Sequence, residues 1–333
     1  MNEALNRKCE LLLNNLSAVN RAFLFSDPLL SLASALIFTS ADREADPEKL
    51  SECKKILGRN TGLLSNLRAN PRQVLLSKMA LSDDPESYLS CVKDVYKKIH
   101  QGRKLENTYM FLAAILICDL GRQDEAEELV SKAEAVRSLM EKDHPVLTAS
   151  EDTSFIMLLA LTDKSVETIV SDIREAYDYL KKTCRIGAGS NGIQGLSEVL
   201  SVSYGDTKEK CDRAVRILNT FKDRDERYGT DSELAVLGSL IDVDLDVDTM
   251  ADEIIETAAL LKENKGFKDE AMGRTRRLMY ASMLVSEVYG KESAVMGNAI
   301  ISNTISSVIA KQISVAITVA VNLASAAVPG DDE

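Results

Sequence analysis

The chain has 333 residues, of which 45% are hydrophobic and 28% charged, so it can build a packed core and is not a disordered polymer. Only 6 Pro and 16 Gly interrupt it, which favours long helices and excludes collagen-like and Gly/Pro-rich β architectures. Its formal net charge of -12 repels phosphate backbones, so we expect no nucleic-acid partner.

The N-terminal segment does not resemble a secretory signal, so we predict a cytoplasmic protein. Glu3 and Glu10 flank a short run of leucines, whereas a secretory signal needs a basic start and a longer apolar stretch. The six cysteines form no CxxC pair and fall in or beside helical patterns, so we interpret them as reduced thiols.

The chain has few residues that could bind a metal ion or act as the general base of a hydrolase. His100 and His144 are its two histidines, and neither is at ligand spacing from a cysteine or from the other. We therefore expect no metal, no cofactor and no catalytic residue of the Ser-His or Cys-His kind.

A pattern of about forty residues recurs along the chain. Each unit has a short apolar segment, a break containing Asp, Gly, Pro, Ser or Thr, and then an amphipathic charged helix. The breaks recur at helical-hairpin spacing, at Thr39, Ser82, Leu120, Thr162, Gly205 and Asp242. Asp-Pro pairs at two breaks, Asp46-Pro47 and Asp84-Pro85, supply an N-cap and a first helical residue.

The two helices of a unit differ in their apolar pattern. The first is apolar on nearly every side, as expected of a helix enclosed by neighbours, and the second keeps one stripe, such as Ile169, Ile173 and Tyr177. The pattern predicts an all-α fold of about six stacked helical hairpins, either an open superhelix or a closed ring. Ala80 and Ala160 occupy matching places and are predicted to be buried at close helix approaches.

Two motifs are interpreted as ordinary turns. Gly187 to Gly192 matches GxGxxG but follows a predicted helix instead of a strand, so it indicates a helix stop and loop. Asp242 to Glu253 resembles a calcium loop but has Val247 where the sharp turn needs glycine. We predict that this loop binds no calcium at physiological concentrations.

A dense basic cluster precedes the last repeat helix. Arg274, Arg276 and Arg277 follow Lys265 and Lys268 in an otherwise acidic chain, and such a cluster can receive a carboxylate or a phosphate. A helix start whose arginines pair with nearby acids is the competing interpretation. The candidate ligand-binding residues are Lys268, Arg274, Arg276 and Arg277.

Three stretches carry a resemblance to a known family: Gly192 to Ser197, Lys265 to Phe267, and Arg276 to Val285. The chain resembles an uncharacterised bacterial all-helical family known only as a domain of unknown function. The resemblance extends from about residue 20 to 290. It implies an all-helical cytosolic protein and assigns no catalytic residue.

The C-terminal segment is predicted to be a separate element. We divide the chain into a helical-repeat domain (1–290), an apolar helix (291–328) and an acidic tail (329–333). Residues 299–328 carry a single charge, Lys311, and a helix of this length could cross a bilayer. A stripe of polar residues along it instead favours packing on the array or on a second copy. A self-associating strand is the third alternative, since Ile313 to Leu323 alternates β-branched and small residues.

These observations favour a non-catalytic protein-interaction or scaffold module, whose partner is another protein or a second copy. The alternative is a small anionic-ligand binder or an enzyme with its site near Arg274, Arg276 and Arg277. Membrane attachment through the C-terminal segment is compatible with either.

Overall fold

The computed structural model describes residues 2–24, 26–60, 70–100, 108–143, 152–184, 189–270 and 272–290. The predicted C-terminal helix and acidic tail lie outside these residues. The α-helices within the described ranges are α1 (Glu3–Ala22), α2 (Pro28–Ser40), α3 (Pro47–Arg59), α4 (Asn70–Leu81), α5 (Pro85–His100), α6 (Thr108–Asp119), α7 (Ala126–Asp143), α8 (Asp152–Ala160), α9 (Val166–Thr183), α10 (Ser190–Leu200), α11 (Thr207–Asp223), α12 (Val247–Lys262) and α13 (Arg274–Tyr289). Three 3-10 helices accompany them: Gln123–Glu125, Ser232–Leu240 and Lys265–Phe267.

The prediction of an all-helical protein is confirmed for the described ranges. They contain no strand, and their one β-type pairing is an isolated antiparallel bridge between Val243 and Gly290. Apolar character differs between helices as the sequence predicts: every residue of α2 from Leu29 to Thr39 is buried, whereas α9 buries a single stripe. Ala80 and Ala160 are both buried, as predicted.

The breaks are turns closed by side-chain caps. Asp46 and Asp84 accept hydrogen bonds from backbone N–H groups in the first turns of α3 and α5, at 2.8 and 3.0 Å. Pro47 and Pro85 are the first residues of those helices, as the Asp-Pro pattern predicts. Caps of the same kind begin α9, α11 and α12, at Ser165, Asp206 and Asp246.

Five of the six breaks lie between a first and a second helix; Thr39 instead lies inside α2, one residue before its end. The apolar segment before the sixth break, Asp242, forms a 3-10 helix, Ser232–Leu240, and not an α-helix. Its narrower backbone brings Gly238 against α10, where a Cβ would lie 2.4 Å from Cγ1 of Val199. Close approach to α10 therefore accompanies the departure from α-helical geometry.

The helix contacts run in two series. Each first helix contacts the next one, in the order α2, α4, α6, α8, α10, the 3-10 helix Ser232–Leu240 and α13. Each second helix also contacts the next, in the order α3, α5, α7, α9, α11 and α12. Every second helix packs on the first helix that follows it, so that α3 contacts α4, α5 contacts α6, and so on to α12 with α13.

Helix α1 connects the two ends of these series. It contacts α2 and α3 at the start of the chain and α12 and α13 at the end of the described range. Glu287 on α13 accepts a 2.6 Å hydrogen bond from Ser40 Oγ and lies 3.4 Å from Lys8 Nζ. The order of contacts thus returns through α1 to the helices at its start.

Cations connect successive units at the turns. Side chains from α3, α7 and α11 donate to main-chain carbonyls that follow the first helix of the next unit. These bonds are Lys49 Nζ to Ser82 O (3.0 Å), Lys132 Nζ to Thr162 O (2.5 Å) and Arg213 Nη2 to Val243 O (2.8 Å). A cation near a helix C-terminus satisfies carbonyls that have no partner within the helix and opposes the negative end of the helix dipole.

Candidate binding site

The candidate site lies where α12 turns into α13. The 3-10 helix Lys265–Phe267 follows α12, and Gly273, with φ of 76°, begins α13. This left-handed conformation favours glycine and directs the chain into a helix whose first residue is Arg274. The predicted cluster is therefore built from one turn of helix and the connection before it.

Arg274 lies at the surface and is paired with an acid. Its Nε donates to Glu226 Oε2 at 2.6 Å, and its Nη2 donates to the carbonyl of Asp225 at 2.9 Å. Hydrogen bonding to Glu226 raises the pKa of the guanidinium. The side chain thus ties α13 to the connection that follows α11.

Arg277 is buried and holds the connection before α13 in place. Its Nη1 donates to the carbonyl of Phe267 and to Asp269 Oδ1, each at 2.8 Å. The side chain is 6% exposed, whereas that of Asp269 is 55% exposed. The hydrogen bond from Arg277 lowers the pKa of the Asp269 carboxyl, which therefore stays ionised at neutral pH.

The other two predicted residues are placed differently. Arg276 Nε lies 3.8 Å from Glu233 Oε1, a loose ion pair on another side of α13. Lys268 is exposed, and the described part of the chain offers it no ion pair. Of the four predicted residues, the structure brings Arg274 and Arg277 together at one cleft.

Two clefts meet at Arg274 and Glu226. The first, about 410 Å³, lies between α12 and α13 and is lined by Glu226, Ile255, Ala258, Ala259, Lys262, Asp269, Arg274, Arg277 and Leu278. The second, about 550 Å³, lies beside the end of α11 and is lined by Leu218, Lys222, Asp225, Glu226, Arg227, Tyr228, Thr230 and Arg274. Because they share an ion pair as a common wall, we name the two together the Arg274 groove.

The two halves of the Arg274 groove differ in chemistry. The first half has an apolar floor from α12 and α13, including Ile255 and Leu278. The second carries Lys222 and Arg227, which are exposed and form no ion pair with any residue in the described ranges. The groove can therefore take an apolar group at one end and an acidic group at the other.

The residues of the second half were missed from the sequence. The segment 222–227 alternates acids and bases, which is typical of a solvated helix end. The usable signal was positional: 222–227 spans the end of α11 and 263–273 follows α12, so both segments lie where a second helix ends.

Residues of the two motifs interpreted as turns cap helices and form an ion pair. Gly189 caps α10 and Gly192 lies in its first turn, after helix α9; residues 187 and 188 of the motif lie outside the described ranges. In the calcium-like segment Asp246 caps α12, and Asp248 pairs with Arg224 at 3.1 Å. Among the described residues no group of three or more His, Cys, Asp or Glu is placed to hold a metal. The absence of calcium binding stays a prediction.

The model of one protein family, described as Protein of unknown function (DUF4003), matches residues 15–314. The chain belongs to this family. The match confirms the resemblance to a domain of unknown function, and the whole Arg274 groove lies within the part of the chain that matches DUF4003. No curated protein and no solved structure matches the chain.

None of the helices in the described ranges combines the length and apolar character needed to cross a bilayer. The predicted apolar segment 299–328 lies outside those ranges, so its three alternatives stay as the sequence left them.

Proposed function

We propose that this DUF4003 protein is a cytoplasmic, non-catalytic protein-interaction module that holds an extended segment of a partner protein in the Arg274 groove. The observation that carries the proposal is that two adjacent clefts share the Arg274–Glu226 pair in their linings. A groove with two compartments along its length suits successive side chains of a peptide better than one compact ligand.

The chemistry of the two compartments defines the partner segment. An apolar side chain fits over Ile255, Ala258 and Leu278 in the first compartment. An acidic side chain fits beside Lys222 and Arg227 in the second, where it meets cations that no described residue neutralises. The expected ligand is a peptide segment with acidic and apolar residues close together.

The helical array supports this role by its rigidity. The proposal includes the interpretation of the fold as stacked helical hairpins, which the two series of helix contacts support. The groove then lies at the end of the array where second helices lead into the following first helices. Self-association through the C-terminal segment is a further proposed interaction.

The alternative is a small-anion binder or enzyme at Arg274, Arg276 and Arg277. The burial of Arg277 beside a cleft favours it, because a desolvated guanidinium binds anions strongly. Against it, Arg274 and Arg277 already hold carboxylates, so an incoming anion must displace Glu226 or Asp269. For this reason we favour the peptide.

A displayed library of random peptides, selected on the full-length chain, tests the proposal. We expect enriched peptides to combine acidic and apolar residues, and synthetic versions to lose at least about tenfold in affinity for the Lys222→Glu/Arg227→Glu variant. Lys55→Glu, on the exposed face of α3, is the matched control and should bind as the wild type does.

Enrichment of peptides without acidic residues, or equal binding by the charge-reversed variant, would contradict the proposal. Titration with inorganic phosphate and with a dicarboxylic acid examines the alternative, for which Arg277→Met should abolish binding. Capture of a partner with and without residues 294–333 shows whether the C-terminal segment contributes.

A further inference from the structure

Two cysteines lie against each other where α5 packs on α6. The sulfur atoms of Cys91 and Cys118 are 2.6 Å apart, and both side chains are half-buried. A disulfide bond is about 2.05 Å long, so these two thiols stand closer to bonding distance than to an ordinary non-bonded contact. No atom fits between them.

The helices that carry this pair are held together next to it by polar contacts. Asp119, which follows Cys118, accepts a 2.6 Å hydrogen bond from the hydroxyl of Tyr88, one turn before Cys91. Asp119 also lies 2.6 Å from Lys78 Nζ on α4, in a pair whose side chains are about one-fifth exposed. Three successive helices are therefore held together at the point where the sulfurs meet.

We propose that Cys91 and Cys118 form an oxidation site, a dithiol that hydrogen peroxide converts to an intramolecular disulfide. The Cys91 thiol releases its proton to water and the thiolate attacks one oxygen of the peroxide; the O–O bond breaks, a sulfenic acid forms, and the leaving hydroxide takes up a proton to become water. The Cys118 thiol then attacks the sulfenic sulfur, the S–S bond forms, the S–O bond breaks and a second water leaves. In sum, two thiols and one peroxide give one disulfide and two waters.

The order of attack follows from the environment of the two sulfurs. Burial, together with the neighbouring Cys91 and Asp119, raises the pKa of the Cys118 thiol, which therefore keeps its proton. Because Cys118 keeps its proton, Cys91 on α5 is the first nucleophile, and Cys118 then reacts with its sulfenic acid.

Three other cysteines are protected by burial. Cys9, Cys53 and Cys211 are buried, and burial raises their thiol pKa values to about 12, 11 and 12. Cys184 is half-buried at the end of α9, as Cys91 and Cys118 are half-buried on their helices. It is a control of similar accessibility.

The bridge would connect two successive repeat units. Cys91 is on the second helix of one unit and Cys118 on the first helix of the next, 27 residues further along the chain. A cross-link closing a loop of this length restricts the unfolded chain and stabilises the folded one. Oxidation should therefore raise the melting temperature, and a thiol reductant should restore it.

The experiment uses the full-length reduced chain, treated with hydrogen peroxide, then alkylated with iodoacetamide and digested. We expect a cross-linked peptide pair containing residues 91 and 118, two fewer alkylated thiols, a mass lower by about 2 Da before alkylation, and a melting temperature higher by several degrees. Dithiothreitol should reverse all four. Cys184→Ser should behave as the wild type, and Cys91→Ser should lose the cross-link and the temperature shift.

Oxidation of Cys91 to a sulfinic acid without a cross-link would overturn the proposal, as would a disulfide between two copies of the chain or a pairing of other cysteines. The peptide map of the wild-type protein decides this by itself, so the result does not depend on whether the variants fold.

Discussion

Two helix contacts differ in how closely the backbones approach: α10 against the 3-10 helix Ser232–Leu240, and α12 against α13. Between α10 and this 3-10 helix, a Cβ on Gly192 would lie 2.5 Å from the carbonyl oxygen of Thr230, and one on Gly238 would lie 2.4 Å from Val199. Between α12 and α13, by contrast, a cleft of about 410 Å³ remains open.

The difference shows what keeps a cleft in a helical array. Glycines remove side chains and let one backbone press on another, which leaves no space for a ligand. The α12–α13 contact has no glycine in either helix, and Arg277 of α13 pairs with Asp269 in the connection that joins the two helices. The cleft therefore lies where side chains, and not bare backbones, meet.

The largest expected effect is at the close contact. Gly238→Ala and Gly192→Ala should each lower the free energy of unfolding by about 1–3 kcal/mol, because the added methyl has no space. Gly195→Ala in the same helix α10 is the control, since its Cβ would lie 3.7 Å from Ala235 Cβ, an ordinary contact. Urea unfolding should find Gly195→Ala neutral or stabilised. Equal effects at all three positions would show that the contact is not unusually close.

The next effect is at the open contact. Arg277→Met should destabilise the protein by about 1–2 kcal/mol, because the carbonyl of Phe267 loses a buried hydrogen bond from a charged donor. Arg276→Met, which breaks a loose pair at 3.8 Å, should cost less than about 0.5 kcal/mol. Thermal unfolding of the two variants side by side measures the difference. Similar losses would mean that burial of Arg277 contributes nothing.

A third contact, between α1 and α13, should depend on pH. Burial raises the pKa of Glu287 and outweighs the opposing effects of Lys8 and Ser40. The folded state therefore holds the Glu287 proton more tightly than the unfolded chain, whose glutamates titrate at about 4.3. The stability this provides is present below that pH and is lost as the pH rises through the raised pKa.

Glu287→Gln removes this titration. We expect the stability of the wild type relative to the variant to fall as the pH rises above about 4 and through the raised pKa, measured by urea unfolding at several pH values. A difference that stays constant or grows with pH would contradict the raised pKa.

The smallest effect is expected at the shared wall of the groove. Arg274→Gln removes a surface ion pair with Glu226, which is worth roughly 0.2–1 kcal/mol at most and is screened by salt. Differential scanning calorimetry should find a melting temperature within about 3 °C of the wild type. A larger loss would mean that Arg274 holds α13 on the α11 connection and does not merely line the groove.

The sequence predicted the parts of this molecule that depend on local pattern. The run Leu29 to Thr39 is apolar on all sides and is buried on all sides, and Asp46-Pro47 begins a helix at the expected residue. These features follow from side-chain spacing and capping, which are properties of neighbouring residues.

The sequence did not predict features that depend on distant residues. Nothing local distinguishes Arg277, which is buried, from Arg276, which reaches another acid. Likewise Lys222 and Arg227 belong to the groove only because the fold brings the end of α11 and the connection after it next to Arg274. The 3-10 form of Ser232–Leu240 coincides with its contact with α10, which no pattern within the segment records.

The contact of α1 with α13 has a consequence for folding kinetics. Ser40 and Glu287 are 247 residues apart, and closing a loop of that length costs about 1.6 kcal/mol more chain entropy than closing one hairpin of about forty residues. During synthesis, Lys8 and Ser40 leave the ribosome long before Glu287, so the first helices must remain without their final neighbours while the rest of the chain is made. Pulsed hydrogen exchange during refolding should accordingly find α1 and α13 protected last, after the contacts between successive units have formed.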